Sequence, residues 1–127
     1  MLKETVICIV IIMGILGLEY YTQGFTEKTV NEVTEIFDKI EENIFKRDIE
    51  QTNNEIKKIE TKWEEQQKKL AYYIEHDELE KVHTAIVTMK SYIQTEDFSS
   101  AMAELAEGRF VIEHIQEKNS FNLQNIF

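Results

Sequence analysis

The chain has 127 residues with 24 acidic and 14 basic side chains, so its formal net charge is −10. This charge argues against nucleic acid as a partner, whose binding proteins need basic patches, and against docking on anionic lipid through a polybasic segment. One cysteine excludes an intrachain disulfide and a cysteine-based zinc site, and the lack of proline with only four glycines predicts an all-α fold.

The first predicted element is a membrane anchor. Residues 6–18 form an apolar run without a polar side chain, but thirteen helical residues rise only about 20 Å, less than the roughly 30 Å hydrocarbon core of a bilayer. The run is extended by Tyr20, Tyr21 and Phe25, which are typical of an interfacial aromatic belt. We therefore predict that residues 1–24 form an uncleaved signal-anchor.

Two other interpretations of this segment stay open. A cleaved signal peptide would use Thr22-Gln23-Gly24, which loosely matches a small-x-small cleavage site. A buried core helix is disfavoured because the segment is apolar on every face. Lys3 precedes the span and Lys28 is the first basic residue after it. This asymmetry favours a single-pass protein of the cell membrane with a cytoplasmic N-terminus and an extracytoplasmic helical domain.

Residues 25–118 predict a small antiparallel bundle of two helix-turn-helix hairpins. The first helix of each hairpin carries an apolar stripe at alternating spacings of three and four residues, the period of one helical face. The two stripes are Val30, Val33, Phe37, Ile40 and Ile44, and Leu79, Val82, Ile86, Met89 and Ile93. Turns at 46–48 and 95–97 each end in an aspartate that is predicted to cap the next helix.

Some helix boundaries are less sharply specified. The first bundle helix either begins at a Thr26 cap or continues from the membrane span, since Gly24 is the only plausible break. The second helix is expected to reach about Glu75. Gly108 lies inside the last helix, where glycine costs about 1 kcal/mol relative to alanine, so we expect it to mark a close helix–helix approach.

The two hairpins correspond at an offset of 49 residues. This offset converts the first stripe into the second, position for position, and relates Asp48 to Asp97 and Trp63 to Ile112. Any two amphipathic hairpins with first helices of equal length would also align in this way. The pattern therefore leaves true duplication and coincidence both open.

Residues 119–127 lack helical periodicity but contain several large apolar side chains. These are Phe121, Leu123, Ile126 and Phe127. Because disordered tails are poor in such groups, we predict a tail that folds back and packs on the bundle. The candidates for packing or interaction are Trp63, Tyr73 and Phe127, although aromatic residues at helical spacing more often belong to a core than to a binding surface.

The histidines are the only candidates for metal or catalytic chemistry. His76, Glu80 and His83 are spaced i, i+4 and i+7, and Glu80-x-x-His83 has the spacing used in carboxylate di-iron bundles. Those sites need a second such motif and two more carboxylates, and the sequence has no second Glu-x-x-His. We therefore predict no metal, no cofactor and no catalytic residue, with the histidines on the surface and His76 near a helix C-terminus.

Several short features follow one another in an order and spacing that are specific as a set. After the N-terminal apolar span they are Trp63, Glu75-His76-Asp77-Glu78-Leu79, Tyr92-Ile93, Ala103-Glu104-Leu105 and Asn122-Leu123-Gln124-Asn125-Ile126-Phe127. On these features the chain resembles, over nearly its whole length, an uncharacterised family of small bacterial proteins, mostly from Firmicutes, called domain of unknown function 4363. Cys8 within the span departs from that family's pattern.

The resemblance implies a membrane-anchored helical protein without an assigned activity, so it carries over no catalytic residue. Such proteins are often encoded beside a small multi-pass membrane protein, which implies a membrane-protein partner.

The sequence thus predicts a single-pass, membrane-anchored interaction or scaffold module that is not an enzyme. Its expected partner is another membrane or envelope protein, or a second copy of the chain in a homo-oligomer. The alternatives are a metal-binding or metal-dependent protein that uses His76, Glu80 and His83, and a sensor domain that holds a small apolar ligand between its helices.

Overall fold

The computed structural model of the chain describes the backbone of residues 1–126 and the side chains of residues 1–119. Four helices cover this part of the chain. They are α1 (Leu2–Phe45), α2 (Ile49–Leu70), α3 (His76–Gln94) and α4 (Phe98–Ile126). The predicted all-α fold, with a long apolar N-terminal helix followed by a helical bundle, is confirmed.

The helices close into a four-membered ring around one core. α1 packs against α2 and α4, and α3 packs against α4 and, less extensively, against α2. The short connections make each helix antiparallel to the next, so α1 and α4 are also antiparallel. The two predicted hairpins are therefore α1–α2 and α3–α4.

α1 is one helix of 44 residues, about 66 Å long at 1.5 Å per residue. Gly24, the expected break, lies inside it with a negative φ. Of the two sequence alternatives, the one in which the bundle helix continues from the apolar span is confirmed. The interpretation of the span as a buried core helix is wrong, because none of its most apolar 18-residue window is buried.

The core is formed by both predicted stripes together with apolar side chains of α2 and α4. Its fully buried large side chains include Phe37, Trp63, Met89, Leu105 and Ile112. Each side chain of this size contributes about 1.5–3 kcal/mol by leaving water. The hydrophobic contacts between the stripes are thus the main source of bundle stability.

Each of the four interfaces between neighbouring helices also carries an ion pair. The pairs are Lys62–Glu32 at 2.7 Å, Lys90–Glu60 at 2.9 Å, Lys118–Glu78 at 3.4 Å, and Arg109 with Asp38 at 2.5 Å and Glu41 at 2.9 Å. Partly exposed pairs contribute roughly 0–1 kcal/mol each, far less than the core. Their positions nevertheless match the ring order α1–α2–α3–α4.

The two hairpin turns have the same backbone geometry. Arg47 and Glu96, which are 49 residues apart, have φ values of 57° and 60°. The N–H groups of Asp48 and Asp97 donate to the carbonyl five residues earlier, at 3.0 and 2.8 Å. Each aspartate carboxylate accepts the backbone N–H three residues further on, at 3.1 and 3.2 Å, so both predicted caps are confirmed.

α2 ends five residues before its predicted end at Glu75. The backbone N–H groups of Tyr73 and Ile74 both donate to the carbonyl of Leu70, at 3.1 and 2.8 Å, which closes the helix there. Without a proline or glycine in this stretch, the sequence carries no stop signal. As a consequence His76 is the first residue of α3, so its predicted place near a helix C-terminus is wrong.

α4 continues to Ile126, beyond the predicted helix end at residue 118. Residues 119–126 contain neither glycine nor proline, and asparagine lowers helix propensity by less than about 1 kcal/mol per residue, which does not stop a helix that is already formed. The packing of the tail side chains, and all of Phe127, lie outside the described residues.

Gly108 lies where α4 closely approaches two other helices. A Cβ atom at this position would be 3.0 Å from Phe37 Cζ on α1 and 3.2 Å from Ala85 Cβ on α3. The expectation that this glycine marks a close approach is confirmed.

We expect Gly108→Ala to lower the free energy of unfolding of the full chain in detergent by about 1 kcal/mol. Overpacking of a core costs about 1–3 kcal/mol, and the higher helix propensity of alanine offsets about 1 kcal/mol of this cost. In a Phe37→Leu background, which lacks the Cζ atom, Gly108→Ala should destabilise the chain by about 1 kcal/mol less than it does with Phe37 present. Urea denaturation of the four variants measures this coupling; an equal effect of alanine in both backgrounds would contradict the contact.

We expect Glu96→Gly to raise the free energy of unfolding by up to about 1 kcal/mol. A non-glycine residue is destabilised by about 1–2 kcal/mol in the left-handed region, while glycine loses about 0.5–1 kcal/mol more entropy on folding. The matched control is Glu107→Gly, an exposed position inside α4, which should be destabilising by about 1 kcal/mol. Urea denaturation that ranks the two variants equal would show that Glu96 is not held left-handed.

Candidate functional site

The largest unpartnered feature of the described residues is the N-terminal part of α1. Nine of its large apolar side chains are between 51% and 67% exposed: Val6, Ile7, Ile9, Val10, Ile11, Ile12, Met13, Ile15 and Leu18. Soluble monomers rarely expose a contiguous apolar patch larger than a few hundred Å². By length and composition this helix is able to cross a membrane.

Two tyrosines mark the end of the exposed apolar part toward the bundle. Tyr20 and Tyr21 are 81% and 69% exposed. Five residues after Tyr21, α1 enters the bundle, where Thr26 has no exposed surface. The change from exposed to buried therefore takes place within about two turns of one continuous helix.

A hydrogen-bonded cluster fixes the connection between α2 and α3 to this part of α1. The Tyr73 hydroxyl donates to the backbone carbonyl of Thr22 at 3.1 Å and lies 2.7 Å from Thr26 Oγ1. The Thr26 hydroxyl also lies 2.8 Å from the Thr22 carbonyl oxygen, so the alternative in which Thr26 caps the start of a helix is wrong. Burial raises the pKa of the Tyr73 phenol, and the hydrogen bond with Thr26 partly offsets the effect.

The predicted metal candidates lie on the outside of α3. His76, Glu80 and His83 are all exposed, and His76 Nε2 lies 3.5 Å from Glu80 Oε1. Within residues 1–119, no group of three or more histidine, cysteine, aspartate and glutamate side chains could hold a metal ion. The metal alternative therefore gains no further ligand from the fold.

A charged cluster that the sequence did not indicate joins α3 to α4 near Tyr73. His114 stacks on Phe110 with ring centroids 6.4 Å apart, and its Nε2 lies 3.8 Å from Glu78 Oε1. Lys118 Nζ lies 3.4 Å from both Glu75 and Glu78. The hydrogen bond to Glu75 and the charges of both carboxylates raise the pKa of the Lys118 ammonium.

The three residues predicted to pack or to interact are Trp63, Tyr73 and Phe127, of which the first two lie in different environments. Trp63 is 1% exposed in the centre of the core, so it cannot meet a partner without unfolding. Tyr73 is half-buried and serves the internal cluster described above. Phe127 lies outside the described residues.

An open groove of about 560 Å³ runs along the outside of α1 and α2. Four lysines and three glutamates line it around a single aliphatic residue, Ile36. The lysines are Lys39, Lys57, Lys58 and Lys62. Because the groove is open and charged groups surround it, it suits the surface of a partner better than the enclosed small ligand of the sensor alternative.

Comparison with known proteins gives one match. The family described as Domain of unknown function (DUF4363) matches residues 20–126. No curated protein and no solved structure matches the chain. The matched range begins at Tyr20, so it contains the tyrosine boundary and the bundle.

We expect Tyr73→Phe to lower the free energy of unfolding of the full chain by about 1 kcal/mol at neutral pH, because it removes the hydroxyl from its two partners. The neighbouring Tyr72→Phe, in an exposed side chain, is the matched control and should change stability by no more than a few tenths of a kcal/mol. Urea denaturation checks both; equal effects of the two substitutions would contradict the role of the cluster.

The same variant tests the pKa of Tyr73. Since the folded pKa is raised above the ordinary value of 10.0, the stability that this phenol contributes is complete below pH 10 and is lost as the pH rises through the folded pKa. The free energy of unfolding should therefore fall more steeply above pH 10 in the wild type than in Tyr73→Phe. Parallel pH profiles for the two proteins would contradict the raised pKa.

Proposed function

The chain belongs to the family described as Domain of unknown function (DUF4363), and from this premise we propose that it is a single-pass membrane-anchored interaction module. Its helical bundle stands on the membrane surface and binds another membrane or envelope protein, or a second copy of the chain. The observation that carries this proposal is the apolar part of α1, which has no buried residue in its most apolar window and continues without a break into the bundle.

Retention of the anchor is supported by the contacts around Tyr73. Cleavage after Gly24 would remove Thr22, whose carbonyl accepts the Tyr73 hydroxyl, and would make Phe25, directly before buried Thr26, the new N-terminus. The family match also begins before this site, at residue 20. A signal peptide would have to be removed without taking part of the folded domain, which favours an uncleaved anchor.

The proposed orientation places the N-terminus in the cytoplasm and the bundle outside the cell membrane. Lys3 and the terminal amine lie before the span, and positive charge is enriched on the cytoplasmic side of membrane helices. The single cysteine, Cys8, lies within the span, so the bundle itself has no thiol that an oxidising exterior could alter.

Binding rather than catalysis is supported by where the charged side chains lie. In the groove between α1 and α2, three of the four lysines pair with glutamates: Lys39 with Glu35, Lys58 with Glu55, and Lys62 with Glu32. Lys57 has no ion pair among the described residues, so its charge is available to a partner on the surface of an acidic protein. The α1 residues of this groove, 32–39, lie roughly 17–27 Å above Tyr21. A partner with a negatively charged surface at this height would meet the groove while both proteins stay anchored.

Site-directed photocrosslinking in native membranes tests the proposal. A crosslinker at Lys57, in the groove, should give a discrete adduct whose second component is identified by mass spectrometry. The matched control is Lys81, also an exposed lysine, on the outside of α3, which should give no discrete adduct. Charge reversal by Lys57→Glu should reduce formation of the complex on detergent extraction several-fold, and Lys81→Glu should not.

Two results would overturn the proposal. Recovery of the intact, unprocessed chain in the soluble fraction after cell fractionation would remove the anchor. Extraction as a monomer, with no discrete adduct from either position, would remove the interaction.

A further inference from the structure

We infer that the connection between α2 and α3 forms a second contact with the lipid bilayer. In this contact the ring of Tyr72 lies among the lipid headgroups and the lysines of the last turn of α2 reach toward the phosphates. The inference rests on the proposed function, because it needs α1 to cross the bilayer and so to bring the end of the bundle to the membrane surface.

The height of the connection is set by its contacts with α1. The Tyr73 hydroxyl bonds to the carbonyl of Thr22, which is the residue directly after the exposed pair Tyr20 and Tyr21. Lys69 Nζ lies over the ring of Phe25, 5.7 Å from its centroid. This end of the bundle therefore lies at the level where the apolar part of α1 ends, next to Tyr20 and Tyr21.

The register of α2 along α1 places the end of α2, two residues before Tyr72, near the same level. Lys62 pairs with Glu32 at 2.7 Å, and the helices run antiparallel. Each residue further along α2 thus lies one residue closer to the start of α1, which puts Leu70, the last residue of α2, beside Gly24. Tyr72 follows two residues later and directly precedes Tyr73, whose hydroxyl reaches the Thr22 carbonyl. Three tyrosines from two separate segments, Tyr20, Tyr21 and Tyr72, therefore lie close to one plane perpendicular to α1, here called the tyrosine plane.

The exposure and chemistry of Tyr72 fit this plane. Its side chain is 89% exposed, while the next residue, Tyr73, is turned into the bundle. Tyrosine concentrates at membrane–water interfaces because its ring leaves water while its hydroxyl stays hydrated. In bulk water, a ring as exposed as that of Tyr72 would keep its apolar surface in contact with water.

Lysines lie directly above the tyrosine plane. Lys68 and Lys69 form the last turn of α2, and Lys28 lies on α1 about two turns above Tyr21. Long lysine side chains extend several ångströms toward polar headgroups. Because Glu27 and Glu75 lie near the same level, the surface is not strongly basic, and we expect the contact to form on zwitterionic phosphatidylcholine.

Tryptophan scanning of the full chain in phosphatidylcholine vesicles tests the contact. Tyr72→Trp is compared in lipid with and without bromine on the acyl carbons nearest the headgroup, which quenches indole fluorescence at short range. The native Trp63 is the only tryptophan of the wild type and is buried in the core, so the unmodified chain gives the baseline. We expect the fractional quenching of Tyr72→Trp to be at least twice that of the wild type.

Two further variants serve as matched references. Tyr20→Trp reports on the anchor and should be quenched at least as strongly as Tyr72→Trp. Phe45→Trp replaces an aromatic residue that is 73% exposed at the opposite end of the bundle, about 35 Å from Thr22 along α1, and should stay at the wild-type level.

The quenching results distinguish a failure of the second bilayer contact from a failure of the membrane anchor. Quenching at Tyr20→Trp, with Tyr72→Trp no more quenched than Phe45→Trp, overturns the second contact and leaves the anchor in place. A lack of quenching at Tyr20→Trp overturns the proposed function and the second contact together. Quenching at Phe45→Trp as well would mean that the bundle lies flat on the bilayer, which also overturns the geometry inferred here.

Discussion

The continuity of α1 is the constraint on which the rest of the structure depends. The chain has no proline, and Gly24 keeps a negative φ inside the helix, so no flexible linker separates the apolar span from the bundle. A helix that runs through this point fixes the direction in which the bundle leaves the span. The height of every other element above the tyrosine boundary then follows from its packing against α1.

Apolar and charged side chains contribute differently to the packing of the helices against α1. Fully buried groups such as Phe37 and Trp63 each contribute about 1.5–3 kcal/mol, whereas each interhelical ion pair contributes at most about 1 kcal/mol. The hydrophobic contacts therefore stabilise the bundle. The ion pairs, such as Arg109 with Asp38, connect helices that are neighbours in the ring α1–α2–α3–α4. They add little to the stability of the bundle.

The ends of the helices show where local pattern is sufficient and where it is not. Asp48 and Asp97 were predicted as caps, since a cap needs only the residues that follow it in the chain. The end of α2 at Leu70 was missed because no glycine or proline marks it, and Tyr73 leaves the helical path to reach Thr22, 51 residues away. The same error put His76 at the wrong end of a helix.

The sequence by itself determined the all-α class, the two hairpins, their capped turns and the exposed apolar span, because helical periodicity and capping are properties of neighbouring residues. It also named Gly108 as a close approach, but not the partners Phe37 and Ala85. Only the tertiary structure brought Tyr73 to α1 and Lys118 to Glu78, and only it showed that His83 belongs to no group of three possible metal ligands among the described residues. Such contacts depend on how the helices are rotated and stacked against each other, which the spacing of residues along one helix does not specify.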